Sequence, residues 1–308
     1  MPIMVLGNLA IKTCLMIALG YLLRKTEVIS DELCSGLSKL LMNVILPACI
    51  LSSASSTPSK ELGHSLIQAA IIVAVYYIIS LCTSWLISRK LSLSNEGKHI
   101  FVTLSVFANI GFIGFPLMKE LFGDIGTLYA VIYNLVNQIF LFTIGIGLLS
   151  NNKNNLIKSL TTDPSTIASI LALIIFLSPM YIPNVIQETF CAVGDMVVPI
   201  SMMIIGCDLA NMKFFEVIKD PYCYLTSFVR LIAYPLAMLV ILRQLNVDSV
   251  LTMSMVVMTA LPCGSLNAIM AKQYNCEPEY AARSVIQSMI LMVGTIPAII
   301  YILGLANG

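Results

Sequence analysis

Ten stretches of this chain approach the roughly 20 apolar residues that a helix needs to cross hydrocarbon, and the second five echo the first five. The stretches cover about 3–23, 31–53, 66–87, 98–121, 126–149, 165–182, 186–210, 222–242, 249–273 and 283–304. Asn43-Val44-Ile45-Leu46-Pro47 returns as Asp195-Met196-Val197-Val198-Pro199, 152 positions later (195 − 43). Gly111 to Lys119 returns as Gly264 to Lys272, 153 positions later (264 − 111). Each copy interrupts an apolar run with Gly or Pro. Paired interruptions in two halves of a membrane chain point to a substrate site.

Composition narrows the class. Of 308 residues, 58% are hydrophobic and 11% charged, against about 25% charged in a soluble domain. The bilayer is therefore the solvent. Nine cysteines include no CxxC pair and read as packing residues. His64 and His99 are isolated, so neither a metal site nor a cofactor is expected. A net charge of +1 argues against nucleic acid. The first apolar run lacks a basic leader and a small-residue cleavage pattern, so it is expected to be retained.

Polar links separate the spans at Arg24-Lys25, Thr57–Glu61, Arg89–Lys98, Gly123-Asp124, Asn151–Asp163, Lys213–Asp220, Arg243–Asp248 and Asn275–Glu279. Spans 6 and 7 are divided only by the turn signals Ser178-Pro179 and Pro183-Asn184. The links after odd-numbered spans hold Arg24, Lys25, Arg89, Lys90, Lys98, Lys153, Lys158, Lys213, Lys219, Lys272 and Arg283. The other links hold only Lys60, Lys119 and Arg243. The positive-inside rule puts the richer set in the cytoplasm and both termini outside. With five spans per half, the second half enters the membrane upside down. The expected organisation is a first repeat over 1–150, a cytoplasmic linker at 151–164 and a second repeat over 165–308, in an all-α, multi-pass protein of the cell (inner) membrane.

The interruptions carry the chemistry. Span 4 reads Asn109-Ile110-Gly111-Phe112-Ile113-Gly114-Phe115-Pro116, and span 9 reads Leu261-Pro262-Cys263-Gly264-Ser265-Leu266-Asn267. Proline removes a backbone donor, and glycine tolerates unusual backbone. In lipid such a break survives only beside protein or a water-filled cavity. It leaves half-helix N-termini, which suit an anion, and C-termini, whose carbonyls suit a cation. Asn109 and Asn267 stand beside the breaks with donors and acceptors. The alternative is a plain proline kink.

Span 5 places Asn134, Asn137 and Gln138 at helical i, i+3, i+4 spacing beside Tyr133, and span 10 offers Ser284, Gln287 and Ser288. Such polar residues either line a pathway or glue helices together. Asp195 lies well inside a span, with the neutral Asn43 as its echo. It is a candidate proton carrier; otherwise the span is shifted and Asp195 lies in a wet crevice, or it pairs with a nearby cation. Lys12 and Arg230 also fall within spans, where snorkelling to an interface accounts for them. Lys119 and Lys272 read as end caps. No cationic pair converges on the breaks, so anion preference rests on helix ends alone.

The strings NVILPACI (43–50), NIGFIGFPLMKELFG (109–123), YNLVNQIFLFTIG (133–145), VPISMMIIGCDLA (198–210) and ALPCGSLNAIMAKQYN (260–275) resemble, in this order and spacing, the auxin efflux carrier family of secondary transporters. The resemblance runs over essentially the whole chain. It implies ten helices as two inverted five-helix repeats, similar to bile-acid sodium symporters, with spans 4 and 9 broken and crossing. Spans 1, 2, 6 and 7 would form a scaffold able to dimerise. Spans 3–5 and 8–10 would form a transport domain moving elevator-fashion. A small organic anion, such as an auxin-like, malate-like or malonate-like carboxylate, would bind at the crossing, with proton or sodium coupling or none. Carried over by motif, Asn109, Pro116, Pro262 and Asn267 would shape the site. Span 9 places its Pro before its Asn, whereas span 4 places Asn first. The short 151–164 link lacks the long loop of plant members, as in a compact prokaryotic protein.

Other classes fit less well. Nothing resembles a phosphate-binding Walker loop. Gly194-Asp195 matches part of an intramembrane aspartyl protease motif, but position 192 is Ala where that motif has Gly. An enzyme is not expected. A ligand sensor using a transporter fold without flux stays open.

Overall fold

Helix starts follow local capping chemistry. Ser30, Ser94, Asp220 and Asp248 each accept a hydrogen bond from a backbone N–H two or three residues on, fixing the entry of four helices. A computed structural model describes residues 3–53, 60–149, 164–177, 182–210 and 220–306. The 151–163 part of the linker, the Ser178-Pro179 signal and most of the Thr57–Glu61 and Lys213–Asp220 links lie outside the described residues.

The described residues are helical, joined by turns and one isolated antiparallel bridge. We label the helices α1 (Ile3–Lys25), α2 (Asp31–Ser53), α3 (Lys60–Ser88), α4 (Asn95–Val106), α5 (Ile110–Leu149), α6 (Pro164–Leu177), α7 (Asn184–Gly194), α8 (Val197–Ala210), α9 (Pro221–Gln244), α10 (Ser249–Thr259), α11 (Ser265–Gln273) and α12 (Pro278–Ala306). Gly123, at φ 60 and ψ −140, interrupts α5 where the sequence places the link between spans 4 and 5. That backbone is open to glycine and strained for other residues.

Among the described residues, six helical stretches are long and apolar enough to cross a membrane, against ten expected: α2, α3, α5, α7 continued by α8 (Asn184–Asp208), α9 and α12. For spans 4, 6 and 9 the difference has a physical source. Span 9 is in two pieces, α10 and α11, and span 4 is split between α4 and the first part of α5. Span 6 is represented by the 14-residue α6.

Prolines leave a readable trace. π turns at Leu41–Ile45, Ile110–Gly114 and Val229–Ala233 each end two residues before Pro47, Pro116 and Pro235. A proline cannot donate to the preceding turn, and widening that turn absorbs the defect. A fourth, at Leu141–Gly145, has no such proline.

The chain divides into two compact units. The first comprises Met1–Gln68, Ile110–Leu135 and Thr161–Met212. Its α1 and α8 approach backbone to backbone: a Cβ on Gly206 would lie 2.1 Å from the Ile17 carbonyl oxygen. Small residues permit such contact in membranes. The second comprises Ala69–Asn109, Val136–Leu160 and Lys213–Gly308. Its core stacks Tyr77 between Phe107 and Phe140, and Tyr234 ties α9 to Ser84 and Ser80 of α3. Outward, α3 presents Ile71, Ile78 and Leu86. This apolar exterior suits lipid.

Candidate functional site

The strongest concentration of interrupted backbone lies within the second unit. α4 stops at Val106, and Phe107 turns extended (φ −94, ψ 122). α10 stops at Thr259, and Gly264 is extended before α11 (φ −66, ψ 129). The two loose stretches pair as a miniature antiparallel ladder, Ala108 opposite Cys263. The Asn109 N–H donates to Pro262 O at 3.0 Å, and the Gly264 N–H to Phe107 O at 3.0 Å. Cys263 N–H donates to Ser288 Oγ at 3.1 Å. Each break thus satisfies groups freed by the other, the accounting that a low-dielectric interior demands.

Side chains complete the pairing. Asn109 Nδ2 donates to Ser265 Oγ at 3.0 Å, and Asn267 Nδ2 to Phe107 O at 3.1 Å. Both asparagines are buried. Asn267 Oδ1 has no hydrogen-bond partner and is sealed from the surface. No side chain caps the start of α11. Gly264 is held by contact: a Cβ there would lie 2.8 Å from Ala108 O. Pro262 supplies the carbonyl that Asn109 uses.

Arg230 enters the same place from α9. It is fully buried at 0% exposure, which corrects the expectation of a snorkelling side chain. Its Nε donates to Leu261 O at 2.8 Å, and its Nη1 to Val106 O at 2.7 Å and Tyr76 Oη at 2.8 Å. The guanidinium therefore joins the carbonyl ends of both broken helices. The sequence held a signal. Arg230 stands nine residues into the 24-residue α9, far from either end, with Thr226 and Ser227 one turn before it and Tyr234 one turn after.

The other sequence candidates divide. Asn137 Oδ1 accepts from Tyr77 Oη at 2.7 Å, and Gln287 Oε1 from Ser227 Oγ at 3.2 Å, both within the second unit. Gln138 is buried there as well. Asn134 belongs to the first unit and donates to Ser169 Oγ at 3.5 Å, a contact between helices. Gly111, Gly114 and Pro116 also lie in the first unit, in the π turn and the turn after it. Asn43 is exposed and donates to Lys39 O within its own helix. Asp195 sits in the turn between α7 and α8, largely exposed, 3.8 Å from Lys119 Nζ. It is thus a solvent-exposed carboxylate beside a cation. Lys119 also binds Asp124 at 2.8 Å, so in the last turn before the Gly123 interruption it is an ion-pair centre as well. Lys12 pairs with Glu120 at 2.6 Å.

The profile of the family described as membrane transport protein matches residues 7–159 and 152–300. The chain belongs to this family, the auxin efflux carrier-like transporters. Similar proteins of this family span nearly the same length. YfdV of Escherichia coli strain K12, an uncharacterized transporter, is 26% identical over 303 residues, covering 92% of this chain and 93% of its own. An uncharacterized transporter of Methanothermobacter thermautotrophicus is 23% identical over 288 residues, covering 92% and 93%. MJ1031 of Methanocaldococcus jannaschii, also an uncharacterized transporter, is 19% identical over 280 residues, covering 88% and 90%. Membership in this membrane transport family, together with apolar helices that can span, makes the chain a multi-pass membrane protein with a transported small substrate.

Proposed function

We propose that this transporter carries a small organic anion by alternating access, and that the substrate binds beside the crossing of α4–α5 with α10–α11. The carrying observation is the mutual pairing of two broken helices at 107–109 and 260–264. Such a crossing leaves the uncapped start of α11, a buried acceptor on Asn267 and the Arg230 guanidinium around the same few residues. Helix starts and guanidinium groups favour carboxylates. The open Asn267 oxygen favours a donor on the same ligand, such as the hydroxyl of a malate-like acid or the N–H of an auxin-like one. Asn109, Pro262, Gly264 and Asn267 shape the site. Asn137, Gln138 and Gln287 line its approaches, and Gly111, Gly114 and Pro116 let the span restart.

The reading extends to ten spans in two inverted repeats, with spans 1, 2, 6 and 7 as a dimerising scaffold and spans 3–5 and 8–10 moving elevator-fashion against it. It places both termini outside and the 151–164 link in the cytoplasm. Asn43 and Asp195 are the repeat-related positions at which polar or proton coupling is tested. The experiment is uptake of labelled mono- and dicarboxylates into proteoliposomes holding the full chain, with and without a pH gradient. Saturable uptake of at least one carboxylate supports the reading. Ligand-induced thermal stabilisation without flux for every acid tested would replace it with a sensor.

A further inference from the structure

Half-helix C-termini concentrate partial negative charge on carbonyl oxygens, which attract a cation. Two such ends meet in the second unit, and the oxygens that mark them are Val106 O, just at the end of α4, and Leu261 O, two residues past α10. Tyr76 Oη adds a third oxygen. All three face one group: Arg230 Nε reaches Leu261 O at 2.8 Å, and Nη1 reaches Val106 O at 2.7 Å and Tyr76 Oη at 2.8 Å. The side chain is fully buried, so ordinary hydration of the charge is replaced by these oxygens.

We infer that the crossing contains a cation-binding site whose resident cation is the Arg230 side chain itself. A guanidinium stays charged at all physiological pH and is weakly hydrated, which suits permanent residence in a dry site. The site is thus pre-filled. A soluble monovalent cation has no place at these oxygens while Arg230 is present, and a ligand entering the crossing meets a fixed positive charge. This inference rests on the oxygen geometry rather than on flux, and it stands or falls separately from the transport reading.

Removing the side chain uncovers the oxygens while leaving the backbone that carries two of them. The test is thermal unfolding of the full chain in detergent, in wild type, Arg230→Ala, Arg230→Lys and Tyr76→Phe. The probes are guanidinium chloride at millimolar concentration, far below denaturing levels, and sodium, potassium and tetramethylammonium chloride at matched ionic strength. Wild type is expected to melt alike in all four salts. Arg230→Ala is expected to melt lower and to regain about 3 °C or more with guanidinium, but not with the bulky tetramethylammonium, because only a small cation refills the site. Arg230→Lys should stay folded and indifferent to salt, since it keeps the charge. Tyr76→Phe should melt lower without a cation response. The inference is overturned if guanidinium gives Arg230→Ala no more than tetramethylammonium does. It is overturned equally if Arg230→Ala matches wild type, or if wild type itself responds selectively to one alkali cation. Where Arg230→Ala yields no folded protein, Arg230→Lys decides: folded and salt-indifferent upholds the inference, and unfolded alongside a folded Tyr76→Phe overturns it.

Discussion

The two breaks at the crossing echo each other in sequence but solve the same problem differently. At the first, Asn109 follows the extended stretch, and its side chain reaches across to Ser265 at 3.0 Å. The helix restarts through a π turn eased by Pro116. At the second, glycine precedes the restart, no side chain caps it, and Asn267, three residues further on, reaches back to Phe107 O. The second break therefore keeps an open buried acceptor and an uncapped helix start. A near-repeat need not give two equal surfaces: both halves brace each other, and the second also keeps a buried acceptor without a partner.

The largest effect sharpens the crossing itself. Ala108 and Cys263 face each other between the two backbone hydrogen bonds, the closer type of antiparallel pair, with Cα atoms about 4.5 Å apart. That spacing lies within disulfide reach. Ala108→Cys, with the other cysteines replaced by serine or alanine, should form an intramolecular disulfide with Cys263 on mild oxidation, read by mass spectrometry of the linked peptides. Absence of the link would separate the two breaks.

Next comes the glycine pair. Gly264→Ala puts a methyl 2.8 Å from the Ala108 carbonyl, a backbone atom that moves only if the crossing opens. Its echo, Gly111→Ala, meets the flexible end of Met42 at 3.0 Å. We expect a loss of about 1–3 kcal/mol for the first and less than about 1 kcal/mol for the second, compared by thermal unfolding. Equal losses would mean that the breaks are equally tight.

The asparagines follow. Asn267→Ala removes the hydrogen bond to Phe107 O and Asn109→Ala the one to Ser265 Oγ, each bond worth about 1 kcal/mol of stability. Carboxylate affinity should separate them, falling about tenfold or more for Asn267→Ala and less for Asn109→Ala, measured by isothermal titration. The reverse order would make the first break the ligand-facing one.

The smallest effect is expected at Asp195. Its pairing with Lys119 at 3.8 Å is largely exposed, and such pairs contribute about 0–1 kcal/mol. Asp195→Asn should leave stability and the pH profile of uptake nearly unchanged. Loss of pH dependence would instead assign proton coupling to this position.

Much of this was legible in the chain. Gly and Pro inside apolar runs marked both breaks. The remainder was hidden for physical reasons. Hydropathy counts a broken span as one run, so ten stretches correspond to fewer long helices. Helical spacing puts Asn134 and Asn137 on one face but cannot say what that face meets: Asn137 finds Tyr77, and Asn134 finds Ser169. Arg230 was misread because composition does not register depth. Only its distance from both ends of α9, and the polar turn on either side of it, distinguish a buried guanidinium from one that reaches the interface.

The most direct test of the account is uptake of a labelled carboxylate into proteoliposomes by wild type and by the Asn109→Ala/Asn267→Ala double variant, both checked for folding by thermal unfolding. The account predicts saturable uptake by wild type and its loss in the folded double variant. Undiminished uptake by the double variant would contradict it.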